Sequence, residues 1–303
     1  MIKFAYSAFA RKAIVGRRWG KEHLVSRIGI VTDSTADMPD GYYEEHEVAV
    51  VPLYVRFGDK VYRDWLDMKP KEFYTRMRLA DELPKTSQPS VEDFLSAYRR
   101  FEGYDGVMSI HLSGELSGTV QSAKLAAEQS PVPVRVVDGR QASIATGFVL
   151  DVAVKARDEG KDLVEIESIA KRASEEIKIA FTVDSLRYLE MGGRIGKAKY
   201  LAASLLKIKP VLTLVDGVVG AHKAVKGRSR LIGEMVDLIG QSTAGKSVHI
   251  GYAHADCPES VDEMREAVRA AGINVASEII SEIGCVIGTY VGPGGYAMVI
   301  RPA

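Results

Sequence analysis

The feature that most constrains this chain is its repeated alternation of strand-length apolar runs with helix-length amphipathic stretches. Ile28-Gly-Ile-Val-Thr32 is a short apolar run that ends in the polar turn Asp33-Ser-Thr-Ala-Asp37, the way a buried strand meets a loop. Residues 48–55 form a second apolar run, broken by Pro52. Residues 71–79 place Phe73, Tyr74 and Met77 on one helical face. Ser90-Val-Glu-Asp93 has the form of a capping box that opens a helix through Phe94, Leu95 and Tyr98. Strand signals return at 106–112 and 132–137, and helical ones at 119–128 and 142–158. The second half continues the scheme, with strands at 179–183, 211–215, 247–253, 274–280 and 297–300 and helices at 229–239 and 258–271. This order predicts an α/β protein built on parallel sheet with helical cover. Asp216-Gly217, between Val/Leu-rich runs, predicts a hairpin turn.

At 303 residues the chain has room for two domains of ordinary size. The boundary is expected near residue 178, in the charged segment 171–178, giving domains 28–178 and 179–303. Lys+Arg and Asp+Glu are both 40, so the zero net charge offers nucleic acid no general electrostatic attraction, and no nucleic-acid partner is expected. The two cysteines, Cys257 and Cys285, form no C-x-x-C pair and no disulfide framework, so a reducing cytoplasm is the simplest setting. No stretch reaches the roughly 18 consecutive apolar residues of a membrane span.

Residues 1–27 differ from the rest, with Lys3, Arg11, Lys12, Arg17, Arg18, Lys21 and Arg27 against a single acid, Glu22. A signal peptide needs an apolar run of about 7–15 residues, whereas the run from Phe4 is short and interrupted by Ser7. The stretch reads as a basic, weakly ordered extension of the kind an upstream start codon adds. A membrane-surface or targeting role is the alternative.

Two tempting motifs fail on context. Gly240-Gln-Ser-Thr-Ala-Gly245-Lys246-Ser247 has the letters of a phosphate-binding loop. Such a loop must leave a strand and open a helix, so that backbone N–H groups face the phosphates. Here a helical stripe (Leu231, Ile232, Met235, Val236, Ile239) precedes the motif and a strand follows it. A phosphate- or nucleotide-using enzyme built on this segment is the alternative function. The six histidines make no H-E-x-x-H pair and have no metal-site spacing, and a Ser–His–Asp triad finds no G-x-S-x-G elbow. No metal, cofactor or catalytic residue is expected.

What remains is a set of loops dense in hydroxyl groups and glycine. Pro84-Lys-Thr-Ser-Gln-Pro-Ser90 is one. His111-Leu-Ser-Gly-Glu-Leu-Ser-Gly-Thr119, between a predicted strand and a predicted helix, is another. Met191-Gly-Gly-Arg-Ile195 adds a fixed cation, and Tyr290-Val-Gly-Pro-Gly-Gly295 is the fourth. Hydroxyls and one guanidinium can together receive a carboxylate through charge-assisted hydrogen bonds. Turn and cap chemistry accounts for each loop separately, with Ser90 and Ser117 as N-caps and Gly192-Gly193 as a helix stop.

Taken together these loops resemble the DegV family of bacterial fatty-acid-binding proteins. The pieces fall in family order: Thr32-Asp-Ser-Thr35, Lys85-Thr-Ser-Gln-Pro89, Leu112-Ser-x-x-Leu-Ser-Gly-Thr119, Gly192-Gly-Arg-Ile195, Lys209-Pro210 and Val291-Gly-Pro-Gly294. The resemblance implies two α/β domains with the acyl chain buried between or within them and the carboxylate near the interdomain cleft. It further implies a carrier without catalytic residues of its own, which presents a long-chain fatty acid to a separate fatty acid kinase subunit. By position in the motifs, Thr86 and Ser113 would donate to the carboxylate, Ser87 and Ser117 stand nearby, and Arg194 would hold the network or face the kinase. Two positions depart from the family pattern. Gly114 stands where a second serine is common, and Tyr290 where histidine is common; tyrosine donates a hydrogen bond but is neutral at pH 7. These departures favour a further alternative, a regulatory protein that has lost its ligand. Arg187, Lys197 and Lys199, close to Arg194, are candidates for a docking surface.

Overall fold

The chain opens with β1 (Ile28–Asp33), α1 (Tyr42–Glu45), β2 (Val48–Val51), β3 (Tyr54–Phe57), β4 (Lys60–Arg63), α2 (Pro70–Leu79), β5 (Lys85–Ser87) and α3 (Val91–Arg99). Next come β6 (Gly106–His111), α4 (Thr119–Ala127), β7 (Val134–Asp138), α5 (Ile144–Asp158) and α6 (Leu163–Glu176). The second half contains β8 (Lys178–Thr182), α7 (Arg187–Met191), β9 (Lys209–Val215), β10 (Val218–Val225), α8 (Arg228–Gly240) and β11 (Val248–His254). It ends with α9 (Glu259–Ala270), β12 (Val275–Glu282), α10 (Cys285–Val291) and β13 (Tyr296–Pro302). The computed structural model describes residues 26–80, 82–204, 208–241 and 245–303. Most of the basic N-terminal stretch lies outside them. Arg27 is inside, its guanidinium stacked over Tyr104 and its backbone N–H bonded to Asp105.

Two large sheets organise the molecule. The first, in the order β2-β1-β6-β7, is parallel throughout, as strand–helix alternation predicts. The second, β10-β9-β8-β13-β11-β12, corrects the expectation of parallel sheet, because β11–β12 is its one parallel pair among the described residues. Two causes are visible. Asp216 and Gly217 take φ of 55° and 80°, the left-handed pair that a tight hairpin turn requires, so β9 and β10 must run antiparallel. The C-terminal β13 then inserts between β8 and β11, antiparallel to both. A small antiparallel sheet, β4-β3-β5, stands apart. The apolar run at 48–55 divides around Pro52, and β2 and β3 belong to different sheets.

Five layers result. Helices α3 and α4 cover the outer face of the first sheet, and α8 and α9 the outer face of the second. Between the sheets lie α5 and α6, with α5 touching β1 and β6 on one side and β11 and β13 on the other. Helix α5 is apolar around most of its circumference, the pattern of a helix buried on all sides. Close approach is possible because Gly147 leaves room for Ala36 and Met38, and Gly251 leaves room for the ring of Phe148. The segment 171–178, expected as a boundary, is the last part of α6 and the first residue of β8. Helix α6 is announced by its own capping box, Asp162 with Glu165.

One helix of the second half is tied firmly to the first. Helix α10 packs on α2, β3, β5 and α7, and its start is pinned by two buried carboxylates from the first half. Asp37 accepts Gly284 N–H at 3.1 Å, and Asp64 accepts Cys285 N–H at 2.9 Å. Ser143 and Trp65 also donate to Asp37, and Ser34 to Asp64. The Tyr74 hydroxyl donates to the Ile283 carbonyl at 3.0 Å.

Burial pushes the Asp64 carboxyl up to about 6, and burial with the neighbouring Asp64 charge raises Asp37 as well. A raised carboxylate pKa means that the native state keeps a proton which the unfolded chain releases near pH 4. The resulting stability is fully present below about pH 4 and is lost as pH rises through about 6. For Asp64 alone this loss between pH 5 and 7 is roughly 1 kcal/mol. Urea unfolding should therefore give a shallower fall in stability between these pH values for Asp64→Asn than for the parent; equal slopes would refute the assignment.

Candidate functional site

Between the two halves lies a cavity of about 390 Å³. Its walls are mainly apolar and come from both halves: Leu53, Leu112 and Leu116 from the first, Ile179, Phe181 and Leu214 among those from the second. Helix α10 contributes Val286, Ile287, Tyr290 and Val291, positions that recur on one face of a helix. Polar groups in the wall include Thr86, Ser87, Gln88, Ser117 and the hydroxyl of Tyr290. Among the described lining residues Arg194 is the one charged side chain.

Thr86, Tyr290 and Arg194 form a connected group. Thr86 lies on β5, opposite Val55 of β3, so the T-S-Q-P segment begins as an edge strand and not as the loop expected from its composition. Its hydroxyl lies 2.5 Å from that of Tyr290. The Tyr290 ring carries the Arg194 guanidinium 5.1 Å from its centroid, a cation–π contact. Arg194 is held by its own hydrogen bonds, Nε to the Leu116 carbonyl at 3.1 Å and Nη1 to the Gly192 carbonyl at 2.8 Å. Gly192 is required beside the ring, since a Cβ there would lie 2.4 Å from Tyr290 Cδ1. Gly292 has the reciprocal role, receiving the ring of Tyr188 at φ 72°. Helices α7 and α10 thus interlock, the glycine that follows each (Gly192, Gly292) leaving room for an aromatic ring of the other (Tyr290, Tyr188).

The remaining residues singled out from sequence divide. Ser87 and Ser117 line the same cavity; the Ser117 hydroxyl also pairs with that of Thr119 at 2.8 Å and accepts the Thr119 N–H, so it has cap chemistry as well. Ser113 is not among the lining residues. It is fully buried, donates to the Gly217 carbonyl at 2.8 Å and accepts Glu115 N–H. Its hydroxyl is committed to a bond between the halves.

Several polar lining residues escaped the sequence reading, Gln88 and Ser143 among them. Gln88 donates to Ser122, and Gly118 gives it space, because a Cβ there would lie 2.2 Å from the amide. Ser143 sits at φ 53° and ψ −145°, a conformation rare outside glycine, and donates to Asp37 at 2.5 Å. Positive-φ serine leaves no sequence signal. Gln88 was legible in principle as part of the T-S-Q-P motif.

Other chemistry is structural. Asp33, His111 and Ser109 are linked in the order of a hydrolase triad, at 3.0 and 2.7 Å, but all three are fully buried and none lines the cavity. The phosphate-loop letters at 240–247 run from the end of α8 towards β11, the reverse of the order that chemistry needs; residues 242–244 lie outside the described residues. Among the described residues no three His, Cys, Asp or Glu side chains gather as a metal site, and no helix is long and apolar enough to cross a membrane.

The fold and site define a mixed α/β protein with a largely apolar cavity between its two halves, and with hydroxyl groups and one cation in the described cavity wall. The sequence profile described as "Uncharacterised protein, DegV family" matches residues 27–303, and the chain belongs to the DegV family. It is similar to a fatty acid-binding protein of Thermotoga maritima, 36% identical over 280 residues that cover 88% of this chain and 95% of the relative. A fatty acid-binding DegV family protein from Thermus thermophilus superimposes with a TM-score of 0.88 at 37% identity, covering 91% of this chain and all (100%) of that one. A stearic acid-binding protein from Eubacterium ventriosum gives 0.81 at 31% identity, covering 90% and 98%.

Gly192→Ala should destabilise the protein by about 1–3 kcal/mol through overpacking against Tyr290. In a Tyr290→Ala background most of that cost should disappear. A cost that is the same in both backgrounds, measured by urea unfolding, would show that the ring is not what Gly192 accommodates.

Proposed function

We propose that the chain binds a long-chain fatty acid, with the acyl chain in the interdomain cavity and the carboxylate at Thr86, Tyr290 and Arg194, flanked by Ser87 and Ser117. The observation that carries this reading is the composition of the wall: apolar side chains from both halves, a few hydroxyls, and one cation. A monoanion with a long apolar tail satisfies all three together. Its relatives named for fatty acid binding and for stearic acid point the same way.

The energetics are consistent. Burying about 15 methylenes at about 0.8 kcal/mol each gives a gross gain on the order of 12 kcal/mol. Association costs roughly 4–15 kcal/mol, so head-group contacts supply much of the net affinity and fix the orientation. In this reading the tyrosine at 290 serves as a neutral donor beside Thr86, and Arg194 supplies the charge.

Domains 28–178 and 179–303 are the two units that close on the ligand. The protein is a carrier that presents the carboxylate to a separate kinase subunit and has no catalytic residues of its own. Its proposed setting is the cytoplasm, where the buried free thiols Cys257 and Cys285 stay reduced. Arg187, Lys197 and Lys199, within seven residues of Arg194 in the chain on α7 and the following 3₁₀ segment Gly196–Ser204, form the kinase-facing surface.

Denaturing extraction of the purified protein followed by mass spectrometry should release a long-chain fatty acid. Thr86→Val should weaken fatty-acid binding by about 10- to 100-fold, the worth of a hydrogen bond to a charged group, with the fold intact by circular dichroism. Unchanged affinity would remove Thr86 from the head-group site. Charge reversal at Lys197 and Lys199 should lower kinase-dependent phosphorylation of the bound acid without altering its affinity; full turnover in the double variant would place the docking surface elsewhere.

A further inference from the structure

The two long walls of the cavity are held with very different strength. On one side α10 is tied to the first half by bonds buried in the core: Asp37 to Gly284, Asp64 to Cys285, Tyr74 to Ile283, and the Cys285 thiol to the Met68 carbonyl. On the other side the wall is the β9–β10 hairpin, which contributes Leu214 and Val219. β10 is the edge strand of its sheet. β9 meets β8 with Phe181 opposite Leu212, and Thr213 donates to the Ile179 carbonyl. Among the described residues, one buried hydrogen bond joins the tip of the hairpin to the first half, Ser113 Oγ to the Gly217 carbonyl at 2.8 Å. A loose ion pair, Arg140 with Asp216 at 3.6 Å, lies exposed beside it. Exposed pairs of that kind contribute little.

From this asymmetry we infer that the β9–β10 hairpin is the movable wall through which the ligand enters and leaves, and that Ser113 is its latch. The inference rests on the fatty-acid reading above. A tip held by one neutral hydrogen bond opens at a small fraction of the cost of releasing α10, which would strand two buried carboxylates. Opening at the tip withdraws Leu214 and Val219 together from the cavity wall. Gly217 is matched to this role, because a Cβ there would lie 2.4 Å from the Ser113 hydroxyl and block the bond.

The test is stopped-flow binding of cis-parinaric acid, a fluorescent long-chain fatty acid. Ser113→Ala should raise the association and dissociation rates together, each by about 3- to 10-fold, the equivalent of one lost hydrogen bond. The equilibrium affinity should change far less than either rate. A rise in dissociation alone would make Ser113 a carboxylate donor and overturn the latch, as would unchanged rates. The converse experiment closes the tip covalently. A Cβ at Gly217 would lie 3.5 Å from that of Ser113, within disulfide range, and the native cysteines are buried. In Ser113→Cys/Gly217→Cys, disulfide formation confirmed by thiol titration should slow ligand exchange at least about tenfold, and reduction should restore it; equal exchange in the oxidised and reduced protein refutes the gate. A parent protein that takes up no parinarate overturns the fatty-acid reading itself, whereas normal uptake with unaltered rates in both variants overturns the gate alone.

Discussion

The cavity depends on the capture of α10 by Asp37 and Asp64. Burying two carboxylates near each other is unfavourable unless hydrogen bonds satisfy them, and here the N–H groups at the start of a helix from the other half do so. The arrangement ties residues separated by more than 200 positions in the chain. It directs Val286, Ile287, Tyr290 and Val291 towards the space between the sheets, and it brings Tyr290 to Thr86. Releasing α10 would leave the carboxylates unpaired and the cavity without one wall. The fold is therefore closed by a polar contact, although the surface it shapes is apolar.

The polar end of the cavity follows from the same placement. Tyr290 is held by Gly192 and Arg194 against its ring and by Thr86 at its hydroxyl. A side chain held in this way loses little conformational freedom when a ligand binds, so that part of the binding cost is met during folding. Arg194 is restrained through the carbonyls of Leu116 and Gly192. The first of these belongs to the loop that carries Ser117, which couples the cation of one half to the hydroxyl loop of the other.

How much of this was legible in the sequence depends on the kind of interaction. The parallel first sheet was readable because strands buried on both faces give continuous apolar runs such as 28–32 and 106–112. The Asp216-Gly217 turn was readable because few residue pairs tolerate two left-handed positions. Helix α10 was not, since Val-Ile-Gly-Thr-Tyr-Val has strand-like composition and glycine in its middle. Its helicity comes from tertiary capture by Asp37 and Asp64, which no local pattern reports. β5 was hidden for a similar reason: at three residues it is too short for a period of two to show. Helix α6 had a legible signal in its Asp162–Glu165 box, which the sequence reading did not use. At the site, motif order brought Thr86, Ser87, Ser117, Arg194 and Tyr290 to one cavity. Ser113 fell outside because its partner is the Gly217 carbonyl, and backbone acceptors leave no trace in side-chain motifs.

The size of the cavity adds a last constraint. A dry void of about 390 Å³, at about 24 cal/mol per Å³, would cost on the order of 9 kcal/mol, comparable with the whole stability of an ordinary domain. Water filling the apolar part would have few partners there, since the hydroxyls and the cation are a minority of the wall. A chain that keeps such a space must either admit an apolar occupant or let the space collapse. Collapse is opposed on one side by the pinned α10 and at the centre by α5, wedged between both sheets. If the β9–β10 hairpin is the movable wall inferred above, it is where the void can be relieved, and occupancy of the cavity and closure of the hairpin become two aspects of a single equilibrium.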